Sequence, residues 1–137
     1  MKLDSAAFVA EKELINALKK RSTPINCEQD VLLFNQGDEA TGLYILHNGE
    51  VRLTMKSLTG DQVLSMAAAP DSLLGLPGLL GNAAYSLSAY ARMGAEVSFV
   101  SKDEFSRLML SEPSVSLMIL RVLAAEVRTA RMAISDK

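Results

Sequence analysis

The chain has few side chains of the types that carry out catalysis or bind metals. It contains one histidine, His47, and one cysteine, Cys27, so an internal disulfide and an all-cysteine metal cluster are excluded. His47 precedes an Asn-Gly turn, a position typical of a solvated residue at the end of a strand. The sequence shows no paired carboxylates, Ser-His-Asp set or phosphate-binding loop. We therefore predict that the chain is not an enzyme and holds neither haem nor a metal ion.

The bulk composition is that of an ordinary soluble globular domain. The 137 residues are 49% apolar and 22% charged, and the formal net charge is −2. Autonomous binding to nucleic acid relies on a basic excess, which this chain lacks. Its longest apolar runs, such as 66–69, are far shorter than a membrane span, and no signal peptide is visible. The composition thus predicts one cytoplasmic domain, residues 1–137, that binds neither nucleic acid directly nor a membrane.

The region 25–100 has the pattern of short strands separated by turns. Runs of β-branched and apolar residues predict strands at Val31–Phe34, Leu43–His47, Val51–Met55, Val63–Met66, Ser86–Ala91 and Ala95–Val100. Asn48-Gly49 separates two of these strands, because Asn tolerates and Gly freely adopts the positive φ of a type I′ turn. Alternation of apolar residues in 51–55 buries one face. This pattern predicts an antiparallel sandwich or barrel.

An N-terminal helix is predicted over Ser5–Arg21, within the segment 1–24. Asp4 or Ser5 is a suitable cap, and Pro24 closes the segment. The apolar side chains recur at helical spacing, at Phe8, Leu14, Ile15 and Leu18.

The C-terminal segment, residues 101–137, is predicted to contain two helices. The first spans Asp103–Leu110, with Ser101 as its N-cap and Glu104 completing a capping box. The second follows Pro113 and runs from about residue 114 to 134. It has two apolar stripes, whereas a helix on the surface of a monomer needs only one. The stripes are Val115, Ile119 and Val122 on one side, and Leu117, Leu120, Ala124 and Val127 on the other.

We interpret the long helix as a dimerisation helix. Parallel pairing with a second copy would bring Val115, Ile119 and Val122 against their symmetry mates in a two-fold contact. Glu126 would lie toward the open end, within reach of an ion pair across the interface. The alternative is that both stripes pack on the β-region of the same chain.

Several motifs resemble the cyclic-nucleotide-binding domain of the Crp/Fnr transcription regulators. The resemblance is carried by Gly37-Asp38, by the run 42–51 that ends in Asn48-Gly49-Glu50-Val51, and by the run 95–105. It extends over almost the whole chain, with its order of helix, β-roll and long helix. It implies a mainly β fold with flanking helices, namely a double-stranded β-helix (jelly roll) between an N-terminal helix and a long C-terminal helix. It also implies a homodimer through that helix and a ligand site between roll and helix.

The ligand cassette that this resemblance implies is altered. Members that bind cyclic AMP or cyclic GMP have a Gly-Glu pair opening a short helix, and an Arg followed by Ala or Ser further along. The helix N-terminus and the Arg bind the phosphate, and the Glu accepts from the ribose hydroxyl. Here Gly75 is retained, Leu76 stands at the Glu position, and Tyr85 (or Ala84, if the gap shifts by one) stands at the Arg position. Arg92 aligns too far along to replace the missing Arg.

We therefore predict that the chain does not bind cyclic AMP or cyclic GMP in the family's usual way. Each missing charged hydrogen bond costs roughly 1.5–3 kcal/mol, and about 1.4 kcal/mol is tenfold in affinity. Either a different small effector occupies the pocket, or the pocket is filled by packing alone. Its candidate residues are Gly75, Leu76, Pro77, Gly78, Tyr85, Ser86 and Ser88.

Two functions are compatible with the resemblance. In the first, the chain is a non-enzymatic sensor and dimerisation module of a transcription regulator whose helix-turn-helix is absent after Lys137. In the second, it is a stand-alone signalling or protein-interaction subunit that binds a different small effector. A reading frame that continues into a helix-turn-helix would favour the first function.

Overall fold

The computed structural model describes residues 8–81 and 83–135, and the side chains of those residues up to position 125. Within this part of the chain, eight strands form two antiparallel sheets of four strands each. The strands are β1 (Thr23–Ile25), β2 (Val31–Phe34), β3 (Gly42–Asn48), β4 (Val51–Lys56), β5 (Gln62–Ala68), β6 (Ser72–Leu74), β7 (Ser88–Ala91) and β8 (Glu96–Ser101). Sheet A has the order β1-β8-β3-β6 and sheet B the order β2-β7-β4-β5. This confirms the mainly β fold predicted from the sequence.

The six predicted strands are all present, with ends that differ from the prediction by no more than two residues. Strands β1 and β6 were not predicted. Each has three residues, which is too short for alternation to be recognised. Pro24 lies within β1 rather than closing the N-terminal segment. It is tolerated there because β1 is at the edge of sheet A, where a missing N–H costs little.

Helix α1 spans Lys12–Lys19 and therefore begins seven residues later than predicted. The proposed caps Asp4 and Ser5 lie outside the described residues, and Glu11 is the N-cap. The chain before α1 instead runs beside β6. The N–H of Ala10 donates to the carbonyl of Asp71 (2.9 Å), and residue 9 forms a β-bridge with residue 72. These hydrogen bonds to a neighbouring strand replace those of a longer helix.

Three further helices follow, namely α2 (Leu76–Leu80), α3 (Lys102–Ser111) and α4 (Ser114–Ser135). Ser101 is confirmed as the N-cap of α3, because its Oγ accepts from the N–H of Glu104 (3.2 Å). The Glu104 carboxylate contacts Arg21 and Arg107 instead of completing the predicted capping box. The bounds predicted for α3 and α4 agree with the structure to within one residue at each end. Among the described helices, none combines the length and the apolar character required to cross a membrane.

Strand β3 separates two apolar cores because both of its faces are buried. Leu46 faces the core between the sheets, which also contains Phe34 of sheet B. Leu43 and Ile45 face a second core, formed where sheet A packs against the helices. By the alternation of a strand, His47 lies on the same side of sheet A as Ile45.

Helix α4 closes the second core with one of its two apolar stripes. Val115, Ile119 and Val122 are at most 4% exposed and pack within their own chain, whereas Leu117 and Leu120 are each 57% exposed. The residues predicted to meet a second copy are therefore used inside the protomer. The stripe that remains exposed, and could contact a second copy of the chain, is the one that contains Leu117 and Leu120. The side chain of Glu126, the fourth residue predicted at the dimer contact, lies outside the described residues.

Candidate functional site

The predicted ligand cassette, residues 74–88, runs from the end of β6 through α2 to the start of β7. Gly75 is the N-cap of α2 and has φ +98°, a conformation that glycine adopts without strain. A Cβ at this position would also lie 2.9 Å from the ring of Tyr85. The two residues that the sequence placed at opposite ends of the cassette are therefore in contact.

Helix α2 turns its apolar side toward the interior. Leu76, at the position of the family's Glu, is fully buried in the core between sheet A and the helices, and Leu79 is 4% exposed. Pro77 lies in the first turn, where its missing N–H costs no helical hydrogen bond. A Cβ on Gly78 would lie 2.5 Å from the carbonyl oxygen of Ala84, so the backbone packs closely here. The start of α2 thus serves the core, and no acidic side chain is available to bind a ribose.

Tyr85 is anchored inside the protein rather than presented to a ligand. Its side chain is 4% exposed. The phenol oxygen accepts from the N–H groups of Thr41 (3.2 Å) and Gly42 (3.3 Å) and donates to the carbonyl of Gly42 (2.7 Å). One donated and two accepted bonds use the full capacity of a hydroxyl group. The ring stacks on Phe34, with centroids 4.0 Å apart and planes inclined by 24°.

The two serines of the cassette do not form a polar pocket with Tyr85. The Oγ of Ser88 accepts from the N–H of Gln36 (2.8 Å), so it supports the backbone before the cassette. Ser86 is exposed. The backbone of Tyr85 is held on both sides, because its N–H donates to Asp38 and its carbonyl accepts from Gly37, each at 2.9 Å. The structure therefore brings Gly75 and Tyr85 together.

A cyclic phosphate has no counter-charge among these residues. The segment 74–88 contains no charged side chain. Arg92, the nearest guanidinium in the sequence, lies beyond β7 and is engaged by Asp30 (3.4 Å) and Glu50 (3.7 Å). The residues present therefore do not fit a cyclic nucleotide held by the family's Glu and Arg.

The structure gives His47 a hydroxyl partner and buries Cys27. The Nε2 of His47 lies 2.7 Å from the Oγ of Ser98, a buried partner that the sequence did not indicate. Burial lowers the pKa of His47 and the nearby Lys19 lowers it further, against the opposing charges of Glu96 and Asp71. Burial raises the pKa of the Cys27 thiol. No three His, Cys, Asp or Glu residues in the described part of the chain are grouped so that they could hold a metal ion.

Comparison with known proteins identifies the family. Residues 24–112 match the model of the cyclic nucleotide-binding domain. An anaerobic regulatory protein of Aggregatibacter actinomycetemcomitans is 25% identical over 121 residues, which cover 87% of this chain and 45% of that protein. The cyclic AMP receptor protein of Thermus thermophilus is 30% identical over 98 residues, or 72% of this chain and 45% of that protein. This chain therefore spans about half the length of these curated relatives.

The similarity of the fold to solved structures agrees with this family assignment. The crystal structure of the Thermus thermophilus catabolite activator protein superposes with a TM-score of 0.75 and 23% identity, covering 96% of this chain and 62% of that one. The jelly roll implied by the sequence resemblance is thereby confirmed. With a family model that matches well over half of its residues and a fold that agrees, the chain belongs to the cyclic nucleotide-binding domain family.

Proposed function

We propose that this domain is a sensor and dimerisation module of the Crp/Fnr type whose nucleotide cassette is closed by its own Tyr85. The observation that carries the proposal is the phenol of Tyr85, which is 4% exposed and makes three hydrogen bonds to the backbone of Thr41 and Gly42. The module is non-enzymatic and transmits a conformational or assembly state to a partner. Cyclic AMP and cyclic GMP are not bound in the family's usual manner.

Two energetic costs oppose the binding of a cyclic nucleotide at the cassette. A buried phosphate requires a paired charge or strong hydrogen bonds, because removing an ion from water is costly. The cassette contains no charged side chain to supply that charge. A nucleotide would also have to displace Tyr85, leaving the N–H groups of Thr41 and Gly42 without their present acceptor. Each buried group left unpaired costs about 1–3 kcal/mol.

We expect isothermal titration calorimetry with cyclic AMP and cyclic GMP to show no micromolar binding to the chain. The two missing charged hydrogen bonds at Leu76 and Tyr85 each cost about 1.5–3 kcal/mol, which moves a micromolar ligand toward millimolar affinity. Thermal shift in the same nucleotide solutions is a second measurement. Micromolar binding of either nucleotide would contradict the proposal, whichever residues held it.

The role in transcription is proposed from the relatives. Matching curated proteins include an anaerobic regulatory protein and a transcriptional activator protein, each about twice as long as this chain, and we place any DNA-binding part outside the matched region. The net charge of −2 provides no basic surface for DNA. In this proposal the domain sets the assembly state, and a separate segment or subunit contacts the target.

The proposed homodimer uses the exposed stripe of α4. We expect the double variant Leu117→Glu with Leu120→Glu to dissociate the dimer, raising its dissociation constant at least ~100-fold. The double variant replaces four leucines of the α4–α4 interface, two from each protomer, with charged glutamates. Full burial of one leucine is worth about 1.5–3 kcal/mol. Sedimentation velocity over a concentration series measures the effect.

Leu110→Glu is the matched control for this experiment. Leu110 is an 83% exposed leucine on α3, away from the stripe, and its replacement is expected to leave the assembly state unchanged. Wild-type protein that remains monomeric at tens of micromolar would rule out the α4 dimer. A double variant that dimerises as tightly as wild type would place the contact elsewhere.

A further inference from the structure

A second candidate site lies at one edge of sheet A and shares no lining residue with the cassette. The end of α1, strand β1, the end of β3 and the start of β8 surround a cavity of about 400 Å³. This volume falls within the range of about 300–1,000 Å³ that is usual for small-molecule pockets. The cavity combines a fixed polar pair, a nearby cation and an apolar wall.

His47 and Ser98 form the fixed polar pair. The Nε2 of His47 lies 2.7 Å from the Oγ of Ser98, which is 4% exposed, so the imidazole is held in one orientation. The other ring nitrogen, Nδ1, makes no hydrogen bond with any residue that the structure describes. In the tautomer in which Nε2 accepts from the Ser98 hydroxyl, Nδ1 carries the proton and can donate to a ligand that enters the cavity.

Lys19 supplies the cation. It is the last residue of α1, is exposed, and forms no ion pair with the part of the chain for which contacts are described. Its positive charge lies close enough to help lower the pKa of His47. An anion between these two groups would receive one charged and one polar hydrogen bond.

The wall of the cavity is apolar, where β1 pairs with β8. Pro24 of β1 lines the cavity and is the cross-strand partner of Ser98, so it lies on the same side of sheet A as Ser98 and His47. Glu96 also lines the cavity and is exposed. The other acidic group that influences His47, Asp71, is already paired with Lys12 at 2.6 Å.

We propose that this cavity binds a small monocarboxylate with a short apolar body. The carboxylate lies between the ammonium of Lys19 and the ring of His47, and the body packs on Pro24. Glu96 restricts the class of ligand, because a second carboxylate would face a like charge. The site would give the domain an effector position that does not require the closed cassette.

His47 is the only histidine in the chain, so one imidazole signal in the proton NMR spectrum reports on this cavity alone. We propose to titrate the chain with isovalerate at constant ionic strength. A saturable shift of that signal is expected, with affinity at about pH 5.5 at least ~3-fold higher than at pH 8, since a bound anion favours the charged imidazole. Isovaleramide, which has the same shape without the charge, is expected not to bind.

Two variants and one control distinguish a built site from weak ion binding. Lys19→Met is expected to weaken isovalerate binding about tenfold, the value of one charged hydrogen bond. His47→Gln is expected to remove the pH dependence. Lys20→Met, which changes the neighbouring lysine outside this cavity, is expected to have no effect.

The proposal is overturned if the imidazole signal shows no saturable shift at tens of millimolar isovalerate. It is equally overturned if isovaleramide binds as well, or if Lys20→Met weakens binding as much as Lys19→Met. These results are independent of the calorimetry with cyclic nucleotides, which tests the cassette. Failure at one site therefore does not imply failure at the other.

Discussion

Tyr85→Ala is expected to lower the free energy of unfolding by about 3–5 kcal/mol, the range found when large aromatic core residues are truncated. The variant loses the ring stacked on Phe34 and leaves the backbone groups of Thr41 and Gly42 unpaired. Urea unfolding followed by circular dichroism gives the difference directly. A domain with an open ligand pocket would lose far less, because a ligand-facing tyrosine is hydrated before truncation.

Tyr85→Phe separates the hydrogen bonds from the packing. It keeps the ring and removes the hydroxyl, so a smaller loss of about 1–3 kcal/mol is expected. Tyr90→Phe is the control, because Tyr90 is 43% exposed and its substitution is expected to change stability by no more than about 0.5 kcal/mol. If Tyr85→Phe were as mild as Tyr90→Phe, the phenol would not be the anchor that the geometry indicates.

The cavity left by Tyr85→Ala has the shape of the lost side chain. Added p-cresol is therefore expected to raise the melting temperature of this variant and to leave wild type unchanged, since a ligand that binds only the folded state stabilises it. Stabilisation of wild type to the same extent would show that p-cresol binds elsewhere. No stabilisation of Tyr85→Ala would show that the site collapses after truncation.

The second large change in the free energy of unfolding is expected from a substitution in α4. Ile119→Ala is predicted to cost about 2–5 kcal/mol, the usual range for a buried Ile truncated to Ala. Ile119 is 1% exposed and packs in the core between sheet A and the helices. Equilibrium unfolding in guanidinium chloride, at protein concentrations below and above that of dimer formation, measures the change.

Leu110→Ala is the matched control for Ile119→Ala. Leu110 is 83% exposed, so its truncation is expected to stay within about 0.5 kcal/mol of wild type. If Ile119→Ala destabilised the protein only at concentrations where dimers form, Ile119 would belong to the interface. That result would restore the contact first predicted from the sequence.

Local patterns in the sequence were sufficient for most of the secondary structure. Strand β2 occupies the residues predicted for it, and Ser101 caps the start of α3 as expected. Such features depend on residues that are near one another in the chain, so their spacing alone predicts them. The predicted start of α1 was wrong because the residues before α1 form hydrogen bonds at β6, about 60 positions away in the sequence. A partner so distant in the sequence leaves no local pattern that could be recognised.

The absence of charged side chains from residues 74–88 was likewise visible in the sequence, where Leu76 and Tyr85 occupy the positions predicted for an acid and a guanidinium. Only the tertiary structure showed what Tyr85 does instead, because its partners Thr41 and Gly42 lie more than 40 residues earlier. The same holds for His47 and Ser98, which are 51 positions apart.

The choice between the two stripes of α4 was also decided by packing. Both stripes have helical spacing and similar side chains, so nothing local distinguishes Ile119 from Leu120. The core that α4 shares with sheet A and the other helices lies on only one side of α4, and that side holds Ile119. The sequence by itself determined which residues are apolar, which form strands and helices, and that the cassette lacks charge. The folded chain decided which of those residues meet, because contacts between distant segments depend on the shape of the whole core.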